Sequence, residues 1–120
     1  SSVETSKDAL ADKMAAVFEL AGAKIEFTGG YPGWKPNPNS PILKVMQDVY
    51  KNKYGKTPEI KAIHAGLECG LLGGVYPNWD MISFGPTIRL PHSPDEKVNI
   101  ATVQKFWDYL IEVLKNVPVK

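Results

Sequence analysis

The apolar residues of this chain fall into blocks of two periods, separated by glycine and proline. Leu10, Met14, Val17, Phe18 and Ala21 recur at helical spacing; Thr5 or Ser6 can cap such a helix and Gly22 can stop it, which predicts one amphipathic helix. Residues 23–28 (AKIEFT) alternate small or apolar with polar side chains up to Gly29-Gly30, the pattern of a strand with an open edge for association. Residues 31–40 hold three prolines and two asparagines, so they read as a fixed extended connection whose Tyr31 and Trp34 plug the edge of a core.

Ser40 followed by Pro41 starts a second helix, with Ile42, Val45, Met46, Val49, Tyr50 and Tyr54 on one face and Gly55 as its end. Residues 59–64 (EIKAIH) predict a strand with Ile60, Ala62 and His64 on one side. A short helical turn over 68–72 then leads through Gly73-Gly74 and Tyr76-Pro77-Asn78 into a strand over 80–85, which Pro86 stops. Ser93, Pro94 and Glu96 fit the capping-box pattern, which places His92 immediately before a helical start. The last helix begins near Asn99, and its broad apolar face of Val103, Phe106, Trp107, Leu110, Ile111 and Leu114 is expected to cover a sheet. The order helix, strand, helix, strand, strand, helix makes the fold class α/β, a sheet covered by helices.

Composition narrows the partners. Fourteen basic residues against thirteen acidic ones leave a formal charge of +1 on 120 residues, no field for nucleic acid or an anionic membrane, so small neutral or zwitterionic ligands fit better. Cys69 is the single cysteine; an intramolecular disulfide and a zinc finger are both excluded, and a reducing, cytoplasmic setting is expected. The sequence shows neither a signal peptide nor an apolar run of membrane-spanning length.

Residues 60–96 gather both histidines and the cysteine, and the loops at strand ends there are where α/β proteins place ligands. A lone histidine is more often packed or solvated than a ligand, and His64, at the end of an alternating run, reads as a core histidine bonded to backbone. Cys69 has no histidine or basic neighbour and reads as a small apolar filler. Asp95 and Glu96 are explained by a helix N-terminus, which stabilises carboxylates without any metal. Glu68 has no assignable role.

HAGLECG (64–70), DMISFGP (80–86) and HSPDE (92–96), with YPGWKPNP (31–38) and KFWDYLIEVL (105–114), resemble the C-terminal end of the aminoacyl-histidine (Xaa-His) dipeptidases, carnosinase-like metallopeptidases with a dinuclear zinc site. A complete enzyme of that family is several times longer, so the resemblance implies that this chain is the C-terminal part of the catalytic domain (29–120) preceded by the last helix and strand of an inserted lid domain (1–28). It implies that His92 is a metal ligand, that the backbone of Gly66 and Leu67 receives the substrate carboxylate, and that no catalytic base lies in this chain. The implied cofactor is zinc, two ions in the intact enzyme, with other divalent metals possible. The implied partners are a dipeptide substrate, the N-terminal remainder of the same chain, and a second copy through the lid. A different reading from the same residues is a non-catalytic regulatory or interaction module that keeps the peptidase shape, with His92 an ordinary surface residue.

Overall fold

A computed structural model of the chain describes residues 1–63 and 68–117. The elements are α1 (Glu4–Leu20), α2 (Pro41–Tyr54), α3 (Glu68–Val75), β1 (Ile88–Arg89), β2 (Lys97–Val98) and α4 (Ile100–Lys115). They belong to two compact units, one of Ser1–Asn37 with Lys61–Trp79, the other of Pro38–Ile60 with the chain from Asp80 onward.

The second unit is built on α2 and α4. The Ser40 Oγ accepts the Leu43 N–H at 3.1 Å, Pro41 occupies the first turn where a missing N–H costs nothing, and Gly55 ends α2 at φ 67°. Asp80, distant in sequence, adds a carboxylate to that same N-terminus by accepting the Ile42 N–H at 2.9 Å, where the helix dipole favours negative charge. Met46 and Val49 of α2 pack with Tyr109 and Val113 of α4 as the core, flanked by Ile42, Val45, Tyr50, Tyr54 and Ile82. Burying each such side chain contributes on the order of 1.5–3 kcal/mol.

Tyr109 does more than fill space. Its hydroxyl donates to the Met46 carbonyl at 2.7 Å, and its ring meets Tyr50 and Phe84 edge-on at 5.3 and 5.5 Å. Lys105 closes the aromatic group, donating to the Tyr50 hydroxyl at 2.6 Å with its ammonium 4.5 Å from the Tyr54 ring centre.

The buried stripe of α4 differs from the expected one. Tyr109 and Val113 are buried and Phe106 and Leu110 half-buried, whereas Trp107 is 54% exposed and Leu114 63%. This helix carries two adjoining apolar stripes, and α2 covers only the one through residues 106, 109 and 113. The expected sheet is also corrected. Residues 23–28, 59–63 and 80–85 join no ladder among the described residues, and the pairing found is β1 antiparallel to β2, Ile88 opposite Val98 and Arg89 opposite Lys97. Alternation specifies which face of a strand is apolar, but a ladder also needs a neighbour whose N–H and C=O groups meet it.

In the first unit, α1 starts from Val3 without a side-chain cap, so Thr5 and Ser6 lie inside the helix and do not cap it. Glu4 and Lys7 of its first turn instead tie down the segment that follows Gly30. The Glu4 carboxylate accepts the Gly33 N–H at 2.7 Å, and the Lys7 ammonium donates to the Tyr31 carbonyl at 2.6 Å. The Lys7 hydrogen bond, then that of Gly33, holds the Glu4 carboxyl below the usual range. The end of α1 is as expected, with Gly22 at φ 80° and the N–H groups of Gly22 and Ala23 returning to Glu19 and Phe18. Its apolar face is not covered: Leu10, Met14, Val17 and Phe18 are exposed. Trp34 is half-buried, but Tyr31 is exposed and plugs no core.

The α3 helix outruns the expected turn over 68–72 and includes Gly73 and Gly74. Gly70 and Gly74 lie one turn apart and face Pro32 so closely that a Cβ on Gly70 would stand 2.7 Å from the Pro32 carbonyl oxygen. These glycines serve close approach, not a turn.

Burial, then the neighbouring Tyr50 and Tyr54 phenols, push the Tyr109 hydroxyl up to about 12 from 10.0. Folding thus holds the neutral form, a contribution complete below pH 10 and lost as the pH climbs through 12. Urea titrations of the chain are expected to show stability falling between pH 10 and 12, with Tyr109→Phe shrinking that fall and, by removing the bond to the Met46 carbonyl, costing about 0.5–1.5 kcal/mol at neutral pH. An equally steep alkaline fall in Tyr109→Phe contradicts this assignment.

Candidate functional site

His92 stands at the tip of the β1–β2 hairpin, and the chain around it has few alternatives. At the base, the Asn99 N–H donates to the Thr87 carbonyl at 2.9 Å and the Thr87 N–H to the Thr102 hydroxyl at 2.9 Å. The same Asn99 caps α4, its side chain accepting the Ala101 N–H at 3.1 Å. Hairpin and helix therefore share one junction, and α4 is itself held by α2.

Above this junction the turn is tight. Leu90 has φ 53° and His92 φ 63°, two non-glycine residues in the left-handed region within three positions, where each L-residue is disfavoured by roughly 1–2 kcal/mol. The Ser93 hydroxyl donates to the Leu90 carbonyl at 2.9 Å and accepts the Asp95 N–H at 3.2 Å. The Glu96 N–H donates to the Ser93 carbonyl at 3.1 Å, and the Glu96 carboxylate accepts the His92 N–H at 3.3 Å.

This corrects the expected helical start after His92. The Ser-x-x-Glu pattern is present and Glu96 does reach back to a backbone N–H, but it closes a turn that runs straight into β2. The expected helix N-terminus around Asp95 and Glu96 does not form; the Asp95 N–H and the Glu96 carboxylate are instead used within the turn. Pro91 and Pro94 bracket His92 and Ser93; these turn-forming residues were the signal in the sequence that favoured a turn over a helix.

The His92 side chain is exposed, and among the described residues its ring makes no hydrogen bond. No group of three or more histidine, cysteine, aspartate or glutamate side chains gathers to hold a metal among the described residues. One exposed imidazole fits as one ligand of a catalytic zinc, which takes three from the protein, and does not make a site.

Gly66 and Leu67, expected to receive a substrate carboxylate, lie outside the described residues, as does His64. Directly after them, Glu68 opens α3 exposed and Cys69 is half-buried. Burial, then the Glu68 carboxylate, push the Cys69 thiol up, the opposite of an activated nucleophile. A cavity of about 260 Å³ opens in the second unit beside Met46, Tyr50, Ile60, Phe84 and Lys105, and His92 does not line it. The Thr87–Asn99–Thr102 junction and the left-handed residues were not foreseeable from the sequence, because neither composition nor period marks them.

The profile of peptidase family M20/M25/M40 matches residues 4–116. The chain belongs to that family. It is 48% identical over 118 residues to the cytosol non-specific dipeptidase of Escherichia coli (strain K12), covering 98% of this chain and 24% of that protein. The crystal structure of aminoacylhistidine dipeptidase from Vibrio alginolyticus superposes with a TM-score of 0.83 at 52% identity, over 100% of this chain and 24% of that one. The chain thus spans about a quarter of the length of these M20-family relatives, and the resemblance carried by HAGLECG, DMISFGP and HSPDE holds across nearly all of it.

The left-handed turn has a direct consequence for stability. Leu90 is 55% exposed, so its replacement forfeits little burial and the backbone effect dominates. Leu90→Gly is expected to be neutral or stabilising by up to about 1 kcal/mol, whereas β-branched Leu90→Val costs about 1 kcal/mol. Chemical denaturation of the two variants checks this; equal losses in both contradict the left-handed assignment.

Proposed function

We propose that this chain is part of a zinc-dependent dipeptidase that hydrolyses Xaa-His and related dipeptides, to which it contributes one metal-ligand histidine and a substrate-side loop. The observation that carries the reading is the strained, cross-braced turn presenting the exposed His92 imidazole, in a chain about half identical to proteins named as dipeptidases. Strain of this kind persists where the surrounding structure over-determines it, and it concentrates at functional positions.

His92 supplies one nitrogen ligand, and the remaining ligands and the general base come from parts of the enzyme that this chain does not span. Two zinc ions, when bound, supply Lewis acidity toward the scissile carbonyl and lower the pKa of water. Gly66 and Leu67 offer backbone N–H groups to the terminal carboxylate of the dipeptide, glycine leaving room for its approach.

Residues 1–28 are assigned to the end of a lid domain and residues 29–120 to the catalytic domain. A homodimer contact through the lid agrees with the exposed stripe of Leu10, Met14, Val17 and Phe18 on α1, an apolar surface of the kind that usually meets a partner. A cytoplasmic location agrees with the single cysteine and with the name of the Escherichia coli relative. No described helix is long and apolar enough to cross a membrane.

The 120-residue chain alone is expected to hydrolyse no dipeptide and to bind zinc at most weakly. In the intact enzyme, His92→Ala is expected to lower kcat/KM by at least about 100-fold with the fold retained, since loss of a ligand disrupts the metal and opens no cavity. Circular dichroism and an Xaa-His hydrolysis assay check both halves. Near wild-type hydrolysis by folded His92→Ala contradicts the ligand assignment.

A further inference from the structure

Glu96 is the one side chain that grips the backbone of His92 among the described residues. Its Oε2 accepts the His92 N–H at 3.3 Å, while its own N–H is tied to the Ser93 carbonyl at 3.1 Å. The residue that follows, Lys97, is paired opposite Arg89 in the hairpin ladder, so the glutamate backbone is anchored on one side by a turn and on the other by a strand pair. Held in this way, the carboxylate closes a ring of atoms across the left-handed residue at φ 63°. That backbone angle sets the direction of the Cα–Cβ bond, and with it the cone through which the imidazole can point. Ser93 supplies the companion brace, its hydroxyl spanning the Leu90 carbonyl and the Asp95 N–H.

We infer that Glu96 is a positioning residue, whose carboxylate holds His92 in its left-handed conformation and so fixes the direction in which the imidazole is presented, while forming no bond to a metal itself. The inference rests on the reading of His92 as a metal ligand. Its physical content is that Glu96 is needed as a hydrogen-bond acceptor and not as a charge. A carboxamide oxygen accepts the same bond, so glutamine preserves the function and alanine does not. Glu96 acts through the orientation of a group that meets the metal, so its loss lowers metal affinity and kcat and leaves KM for the dipeptide nearly unchanged.

The test uses the intact enzyme in four forms: wild type, His92→Ala, Glu96→Ala and Glu96→Gln. Zinc affinity is measured by competition with a chelator, and kcat and KM are measured on an Xaa-His dipeptide. Glu96→Ala is expected to weaken zinc binding by about 10–100-fold, with a parallel fall in kcat, as for other residues that orient a ligand from behind. Glu96→Gln is expected to stay within about threefold of wild type in both, on the same scale. If Glu96→Gln loses as much zinc affinity as Glu96→Ala, the carboxylate charge is required and the positioning assignment is overturned. If Glu96→Ala binds zinc as wild type does while His92→Ala does not, the brace is irrelevant and the inference falls, with the ligand reading intact. If His92→Ala itself keeps zinc and activity, the underlying reading falls first. Hydrogen exchange at the His92 amide of the wild type needs no variant and guards against one that fails to fold: slowed exchange supports the bond to Glu96, and exchange at the rate of an unstructured peptide overturns it.

Discussion

The position of His92 depends on the seam between α2 and α4, and that seam turns on Tyr109. Its phenol is the largest side chain in the buried group of Met46, Val49, Tyr109 and Val113, and the 2.7 Å bond to the Met46 carbonyl lets the phenol be buried without an unpaired hydroxyl. With α4 fixed against α2, its first turn becomes a rigid foundation. Asn99 and Thr102 of that turn hold Thr87, Thr87 leads into β1, and the β1–β2 pair carries the turn that presents the imidazole. Each step is a short-range contact, and none of them lies on the first unit of the chain.

The helices were legible in the sequence because their signals are local. Ser40-Pro41 and Gly55 bound α2 as expected, and Gly22 ended α1 through backbone bonds that its own conformation permits. The strands were not legible to the same degree. AKIEFT carries the right alternation and residues 81–84 are an apolar run, but pairing is a property of two segments, and for 23–28 and 80–85 no second one is present among the described residues. The Ser-x-x-Glu of HSPDE misled for a third reason: a capping box and a tight turn use the same donors and acceptors, and only the backbone angles of Leu90 and His92, both left-handed, separate the two outcomes. Tyr109 escaped notice as a core residue because the apolar stripe through Trp107, Ile111 and Leu114 is the more conspicuous one in the sequence, although α2 covers its neighbour.

Of the proposed chemistry, this chain accounts for one part. Dipeptidase relatives are about four times its length, and among the described residues no group of three or more histidine, cysteine, aspartate or glutamate side chains gathers to hold a metal. What this chain can do by itself is therefore geometric. It fixes the backbone of His92 by tertiary packing at one end and a cross-braced turn at the other, so that the direction of its Cα–Cβ bond is set in advance. Pre-organisation of this kind costs backbone strain at Leu90 and His92, which the packing of α2 against α4 offsets.

Anomalous diffraction at the zinc edge from crystals of the intact enzyme decides most directly whether His92 holds the metal and Glu96 only braces it. A zinc peak is expected about 2.0–2.1 Å from a ring nitrogen of His92, with the Glu96 carboxylate on the His92 N–H and outside the metal's coordination. Zinc bound elsewhere with His92 facing solvent, or zinc coordinated by Glu96, would contradict it.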